Sequence, residues 1–100
     1  MNAIKDYILK FIYNNDLRDY ENRAIIKELP KNKKEISILD AGCGSGLLLN
    51  QLHEAGFTNL HGLDLNPLNV EIAAKNKNLK IKLGNVLDPK YQKNNFDIII

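Results

Sequence analysis

The 100-residue sequence lacks the features that mark several specialised classes of protein. It holds one cysteine, Cys43, which excludes an internal disulfide framework and fits a reducing, cytoplasmic setting. That cysteine and the two histidines, His53 and His61, do not have zinc-ligand spacing, so no metal site is expected. No apolar run approaches the ~20 residues that a membrane span needs. Lys5, Asp6 and Lys10 interrupt the N-terminal segment, so it is not a secretory signal and no membrane partner is expected. Neither sign of charge dominates: 14 basic against 12 acidic side chains leave a net charge of +2, too little to imply nucleic acid by bulk electrostatics. The basic cluster Lys31, Lys33 and Lys34 after Pro30 reads as a solvated loop. No internal repeat or low-complexity tract is present.

What is present suits one ordinary domain or part of one, with 44% hydrophobic residues and abundant Leu and Ile. Segment 1–34 reads as helical. Ile4, Ile8, Phe11 and Ile12 recur at spacings of three and four. Asp16 and Asp19 suit the start of a second helix, with Leu17, Tyr20, Ala24 and Ile25 expected to face inward and Pro30 ending it. Segment 35–100 changes pattern. Ile36–Asp40 is a strand, Leu47–Ala55 a helix closed by Gly56, and Leu60–Asp64 a second strand. Asn66 caps a helix whose first position is Pro67 and which runs to about Lys75. Leu79–Leu83 alternates as a half-exposed strand, and Phe96 begins a fourth. The closing Ile98-Ile99-Ile100 reads as a buried strand cut off inside itself, so the sequence is expected to be the N-terminal part of a larger domain.

Strands and helices in this order imply an α/β fold with a parallel sheet, Rossmann-like, whose ligand lies at the carboxyl ends of the strands where strand order reverses. The residues at those ends are Asp40 to Gly46, Asp64 to Asn66 and Gly84 to Asp88. The loop Asp40-Ala41-Gly42-Cys43-Gly44-Ser45-Gly46 lies between a strand and a helix, and Asp64 ends the next strand 22 residues after Gly42. A carboxylate there can accept hydrogen bonds from both hydroxyls of an adenosine ribose. The spacing separates the possible ligands. A dinucleotide fingerprint, G-x-G-x-x-G, needs a third glycine where Leu47 stands. A phosphate-binding P-loop needs a lysine where Leu48 stands. An adenosine ligand without a pyrophosphate fits better.

Ile38 to Gly46 resembles motif I of the class I methyltransferases dependent on S-adenosylmethionine. Leu63-Asp64-Leu65-Asn66-Pro67 resembles their second motif, Gly84-Asn85-Val86 their third, and Phe96 to Ile100 their fourth strand. The resemblance covers about Ile36 to Ile100, with the motifs in family order. It implies that 35–100 is the N-terminal part of a cofactor-binding methyltransferase domain, truncated after the fourth strand and incomplete for activity. The implied cofactor is S-adenosyl-L-methionine, its methyl passing from the sulfonium to an unidentified acceptor, with a small molecule as the candidate. Gly42, Gly44 and Gly46, with Ala41 and Cys43, would shape the turn under the methionine part. Asp40 would organise that turn and the amino group, and Asp64 would hold the ribose. Leu65 would lie against the adenine, with Asn85 and Val86 at its amino edge. Asn85 departs from the commoner aspartate, though an amide oxygen can accept the same bond.

Each role has a plainer counterpart. The glycines could serve close packing alone, Asp64 could cap the helix at Pro67, and Asn85 could be a turn residue. Cys43 near a helix start could be a nucleophile, but no base is identifiable and small size explains it better. Tyr7, Tyr13 and Tyr20 could cover the cleft or belong to core and rim. No catalytic residue is named, because the acceptor side of such a site usually follows the fourth strand. The alternatives to a methyltransferase are a nicotinamide or flavin dinucleotide oxidoreductase and a non-catalytic methyltransferase-like binding module.

Overall fold

A computed structural model of the protein describes residues 15–91 and 95–100. The helix expected around Ile4 to Ile12, with Tyr7 and Tyr13, lies outside the described residues, as do the side chains of Asp16, Leu17 and Asp19. The elements are α1 (Asn15–Glu28), β1 (Ser37–Ala41), α2 (Leu47–Glu54), β2 (Asn59–Asp64), α3 (Pro67–Ala73), β3 (Leu79–Leu83), a single 3-10 turn (Pro89–Tyr91) and β4 (Ile98–Ile99). The four strands form one parallel sheet in the order β3-β2-β1-β4. The strand order therefore reverses beside β1, which puts the ends of β1, β2 and β4 around one crevice.

β1 runs one residue later than its apolar pattern suggests. The Ala41 amide donates to the Ile100 carbonyl at 3.0 Å, which extends pairing with the β4 segment past Asp40. Ile38 and Leu39 are fully buried on opposite faces of the sheet. On one face α2 contributes Leu48, Leu49 and Leu52, and these pack with Ile38, Phe57, Leu60, Ala73 and Leu79. The other face holds a smaller cluster of Leu39, Leu63 and Tyr91 with Phe96 packed against it. Gly62 of β2 makes the first packing possible. A Cβ there would lie 2.7 Å from Leu49 Cδ1, 2.8 Å from Ile81 Cδ1 and 2.9 Å from Cys43 Sγ.

Helix ends follow local chemistry. α2 closes at Gly56, whose φ of 100° suits glycine, and Lys34 Nζ donates to the Ala55 carbonyl at 2.9 Å while lying 4.4 Å from the Phe57 ring centre. α3 begins as expected, with Asn66 Oδ1 accepting from the Leu68 amide at 2.9 Å ahead of Pro67.

α1 corrects one expectation. Tyr20 is 69% exposed and Ala24 is exposed, so neither faces inward. The inward stripe is instead Asn22, Ile25, Ile26 and Leu29, the side on which the helix meets α2 and the crevice. A polar residue can stand on that stripe because a cavity lies there. Among the described residues no helix is long and apolar enough to cross a membrane.

Candidate cofactor site

The turn after β1 is wound tightly onto its own neighbours. The amides of Gly42 and Cys43 both donate to the Leu63 carbonyl at 2.8 Å, and the Gly46 amide donates to the Cys43 carbonyl at 3.0 Å. The Gly44 amide donates to Asp64 Oδ2 at 2.9 Å. These N–H groups are therefore committed within the fold. A pyrophosphate seat is built from unoccupied backbone N–H groups at such a turn, and here those of Gly42, Cys43, Gly44 and Gly46 are spent. Gly46 has a further reason to be glycine: its φ is 92°, and a Cβ would stand 3.1 Å from Ala73 Cβ. It starts α2 and lets α3 approach.

An asparagine relay steadies the same turn from behind. Asn76 Nδ2 donates to Asn50 Oδ1 at 2.6 Å, and Asn50 Nδ2 donates to the Gly46 carbonyl at 2.8 Å.

Asp64 closes β2 and reaches across to the turn. Besides Gly44, its carboxylate accepts from the Asn66 amide at 2.9 Å and from Asn69 Nδ2 at 3.2 Å, both through Oδ1. The bond from the Asn66 backbone, with those from Gly44 and Asn69, outweighs partial burial and holds the carboxyl below its usual range. It stays ionised. Since Asn66 supplies the cap of α3, Asp64 is not that cap.

Asp40 has the opposite environment. It is 8% exposed, and its carboxylate accepts no hydrogen bond among the described residues. Burial, with the charge of Asp64 adding to it, pushes Asp40 up to about 6. The Cys43 thiol is pushed up to about 11 by burial, then by the charges of Asp40 and Asp64, so it remains protonated and is no nucleophile at neutral pH.

Two cavities meet at Gly42. One, of about 350 Å3, is lined by Asp40, Gly42, Cys43, Gly44 and Ser45 on one side, by Leu47, Leu48 and Ile100, and by Glu21, Asn22 and Ile25 of α1. The other, of about 190 Å3, is lined by Ala41, Gly42, Leu63, Asp64, Leu65, Gly84, Asn85 and Val86. Leu65 is 70% exposed at its rim. Asn85 Oδ1 already accepts from the Leu87 amide at 2.9 Å, a local turn that leaves one lone pair for a further donor. The residues singled out in the sequence thus line two cavities that share Gly42, apart from Gly46, which packs behind them. The wall from α1 was not anticipated. Its signal was Asn22 itself, a polar residue on an otherwise apolar stripe at helical spacing.

A four-stranded parallel unit with this strand order, glycine turn and acid after β2 has the architecture of a nucleoside-binding Rossmann-like domain. A family model described as a methyltransferase domain matches residues 32–100. The chain belongs to the class I methyltransferase family. It is 34% identical over 97 residues to the ubiquinone biosynthesis O-methyltransferase of Pelagibacter ubique, covering 92% of this chain and 38% of that protein. Human EEF1A lysine methyltransferase 2 is 30% identical over 84 residues, covering 76% of this chain and 36% of that protein. Among solved structures, a TehB-like SAM-dependent methyltransferase from Corynebacterium glutamicum superposes with a TM-score of 0.64 at 30% identity, over 79% of this chain and 41% of that one. The chain spans well under half the length of these relatives. Family membership removes the dinucleotide oxidoreductase from consideration, in keeping with the committed amides of the glycine turn.

Proposed function

We propose that the protein binds S-adenosylmethionine along the crevice and serves methyl transfer to an acceptor in the cytoplasm. The observation that carries this reading is the pairing of two unlike carboxylates on either side of Gly42. The residues fit the cofactor. Asp64, ionised and fixed by its backbone donors, faces the smaller cavity with one acceptor site, on Oδ2, left for a ribose hydroxyl. Asp40, buried without a partner, faces the larger one, where an ammonium would relieve its desolvation. Leu65 and Val86 offer an apolar rim for the adenine, and Asn85 its remaining acceptor.

When bound, the cofactor supplies a methyl group already activated on a sulfonium. The task left to the chain is placement and exclusion of water. Ile25, Leu47, Leu48 and Ile100 form the apolar part of the larger cavity and serve that exclusion. The relatives named above are an O-methyltransferase and a lysine methyltransferase, so their names select no acceptor for this chain. A small molecule remains our reading.

Calorimetric titration with S-adenosylmethionine, S-adenosylhomocysteine and NAD tests the cofactor. We expect both adenosyl ligands to bind and NAD not to. Binding of NAD alone would overturn the reading. Cofactor binding with no turnover across an acceptor panel would favour a binding module over an enzyme.

A further inference from the structure

β3 forms one edge of the sheet. It pairs with β2 on its inner side, and among the described residues no strand lies on its outer side. Backbone groups along a strand point alternately to its two sides. The Gly84 amide donates to the Asp64 carbonyl at 3.1 Å, toward β2, so the groups of Lys82 and Lys80 turn the same way. The N–H and C=O groups of Ile81 and Leu83 therefore face outward, where a further strand would lie.

The strand presents two unlike faces. Leu79 is buried, Ile81 packs against the cluster that holds Leu48, Leu49 and Ala73, and Leu83, next on that face, is left 55% exposed. Lys80 and Lys82 are exposed on the opposite face, in register with His61 and Leu63 of β2. Charge here has one sign. Residues 72–87 hold four lysines, Lys75, Lys77, Lys80 and Lys82, and no acid. None of the four has an ion pair among the described residues, and Lys80 Nζ donates only to the uncharged Asn59 Oδ1, at 3.3 Å. His61 feels this field: burial, then the charges of Lys80 and Lys82, hold it below its ordinary value.

Lysines on an edge strand guard it against pairing. These do so selectively. A second β3 in antiparallel array would set lysine against lysine, whereas a strand with carboxylates opposite Lys80 and Lys82 would neutralise them. A nucleic-acid backbone would meet the charges but leave the outward groups of Ile81 and Leu83 unused.

We infer that the outer edge of β3 docks an extended segment of a partner protein in which acidic and apolar residues alternate. Its main chain bonds to Ile81 and Leu83, its carboxylates meet Lys80 and Lys82, and its apolar residues cover Leu83. The inference does not rest on the cofactor reading, since Lys80, Lys82 and Leu83 line neither part of the crevice.

The test titrates a fluorescently labelled, end-capped peptide of alternating glutamate and valine with the full-length protein, read by anisotropy. A lysine–valine peptide and an oligouridylate RNA are the other arms. We expect the glutamate peptide alone to bind, and more weakly as salt rises. Lys80→Glu combined with Lys82→Glu should weaken it roughly tenfold or more and transfer the preference to the lysine peptide, because two attractive pairs become repulsive. Leu83→Pro removes one outward N–H while sparing the pairing with β2, and should weaken binding roughly three- to tenfold. Thermal melting checks that each variant folds. A fully N-methylated glutamate peptide, stripped of its main-chain donors, makes the same test on the unaltered protein and should not bind.

RNA binding equal to or tighter than that of the peptide would give the face to nucleic acid and overturn the inference. Peptide binding undiminished by Leu83→Pro and by N-methylation would mean that the lysines attract anions without strand addition, which overturns it as well. So would a full-length protein that binds no peptide, its edge already covered by its own chain or, where sedimentation shows a dimer, by a second copy.

Discussion

The Gly44 amide donates to the Asp64 carboxylate at 2.9 Å, tying the turn after β1 to the end of β2. One oxygen of Asp64 thus shapes the glycine turn, while the other holds the entry to α3 through the Asn66 amide and Asn69. The residue proposed to hold the ribose is also the staple of its own site. Replacing it removes two things at once, which determines how its variants must be read.

Asp64→Ala should lower both thermal stability and cofactor affinity. An acceptor for a charge-assisted bond is worth about 1.5–3 kcal/mol, so the dissociation constant for S-adenosylhomocysteine should rise at least roughly ten- to hundredfold. Asp64→Asn keeps an oxygen for the Gly44 amide and should fall in between. 5′-Methylthioadenosine, which keeps the adenosine and sulfur but has no amino acid, shares the ribose and should weaken in parallel. Asp88 is the control. It accepts from the Lys90 amide and lines neither part of the crevice, so its replacement should leave affinity nearly unchanged. An Asp64→Ala protein that melts lower yet binds like the parent would reduce the carboxylate to a staple.

The order of elements was legible because each has its own period and punctuation. Leu79 to Leu83 alternates, α2 repeats Leu48 and Leu52 before Gly56, and Asn66-Pro67 opens α3. The crevice was legible for a topological reason: parallel strands joined by crossovers bring Asp40, Asp64 and Asn85 to one edge whatever the details. Two things were not. The face of α1 was misjudged because apolar spacing was followed through Tyr20 and Ala24, whereas the buried stripe contains a polar residue, Asn22, that faces a cavity. The bond from Gly44 to Asp64 depends on the tertiary approach of two segments, which no local pattern encodes.

Gly62 sets that approach. Its missing Cβ is replaced by Leu49, Ile81 and Cys43, each with an atom within 3.0 Å of where a Cβ would lie. Gly62→Ala should destabilise the protein by about 1–3 kcal/mol, the usual cost of overpacking a buried site. Because Leu49 belongs to α2 and Cys43 to the glycine turn, the strain should also reach the crevice and weaken cofactor binding. Urea unfolding and the same titrations would check this. A neutral substitution would mean that α2 is free to move off the sheet.

Asp40 separates stability from binding most sharply. Its folded pKa, about 6, lies above the ordinary 3.8, so the folded chain holds this proton more tightly than the unfolded one. The contribution of Asp40 to stability therefore falls as pH rises from 3.8 to about 6, and above that the full cost of its buried charge persists. Asp64, with its carboxyl lowered, runs the other way: its stabilisation is present above the unfolded value and lost in acid. Asp40→Asn removes the buried charge while keeping the volume. It should raise stability at neutral pH by on the order of 2 kcal/mol, measured by denaturant unfolding. The same change removes the partner proposed for the ammonium, so affinity for S-adenosylhomocysteine should drop roughly tenfold or more while 5′-methylthioadenosine is little affected. In the parent protein, S-adenosylhomocysteine should bind more tightly as pH rises through about 6, because only the ionised carboxylate attracts the ammonium. That dependence should flatten in Asp40→Asn. A variant that is stabilised but binds both ligands unchanged would leave Asp40 a strained wall residue with no hold on the cofactor.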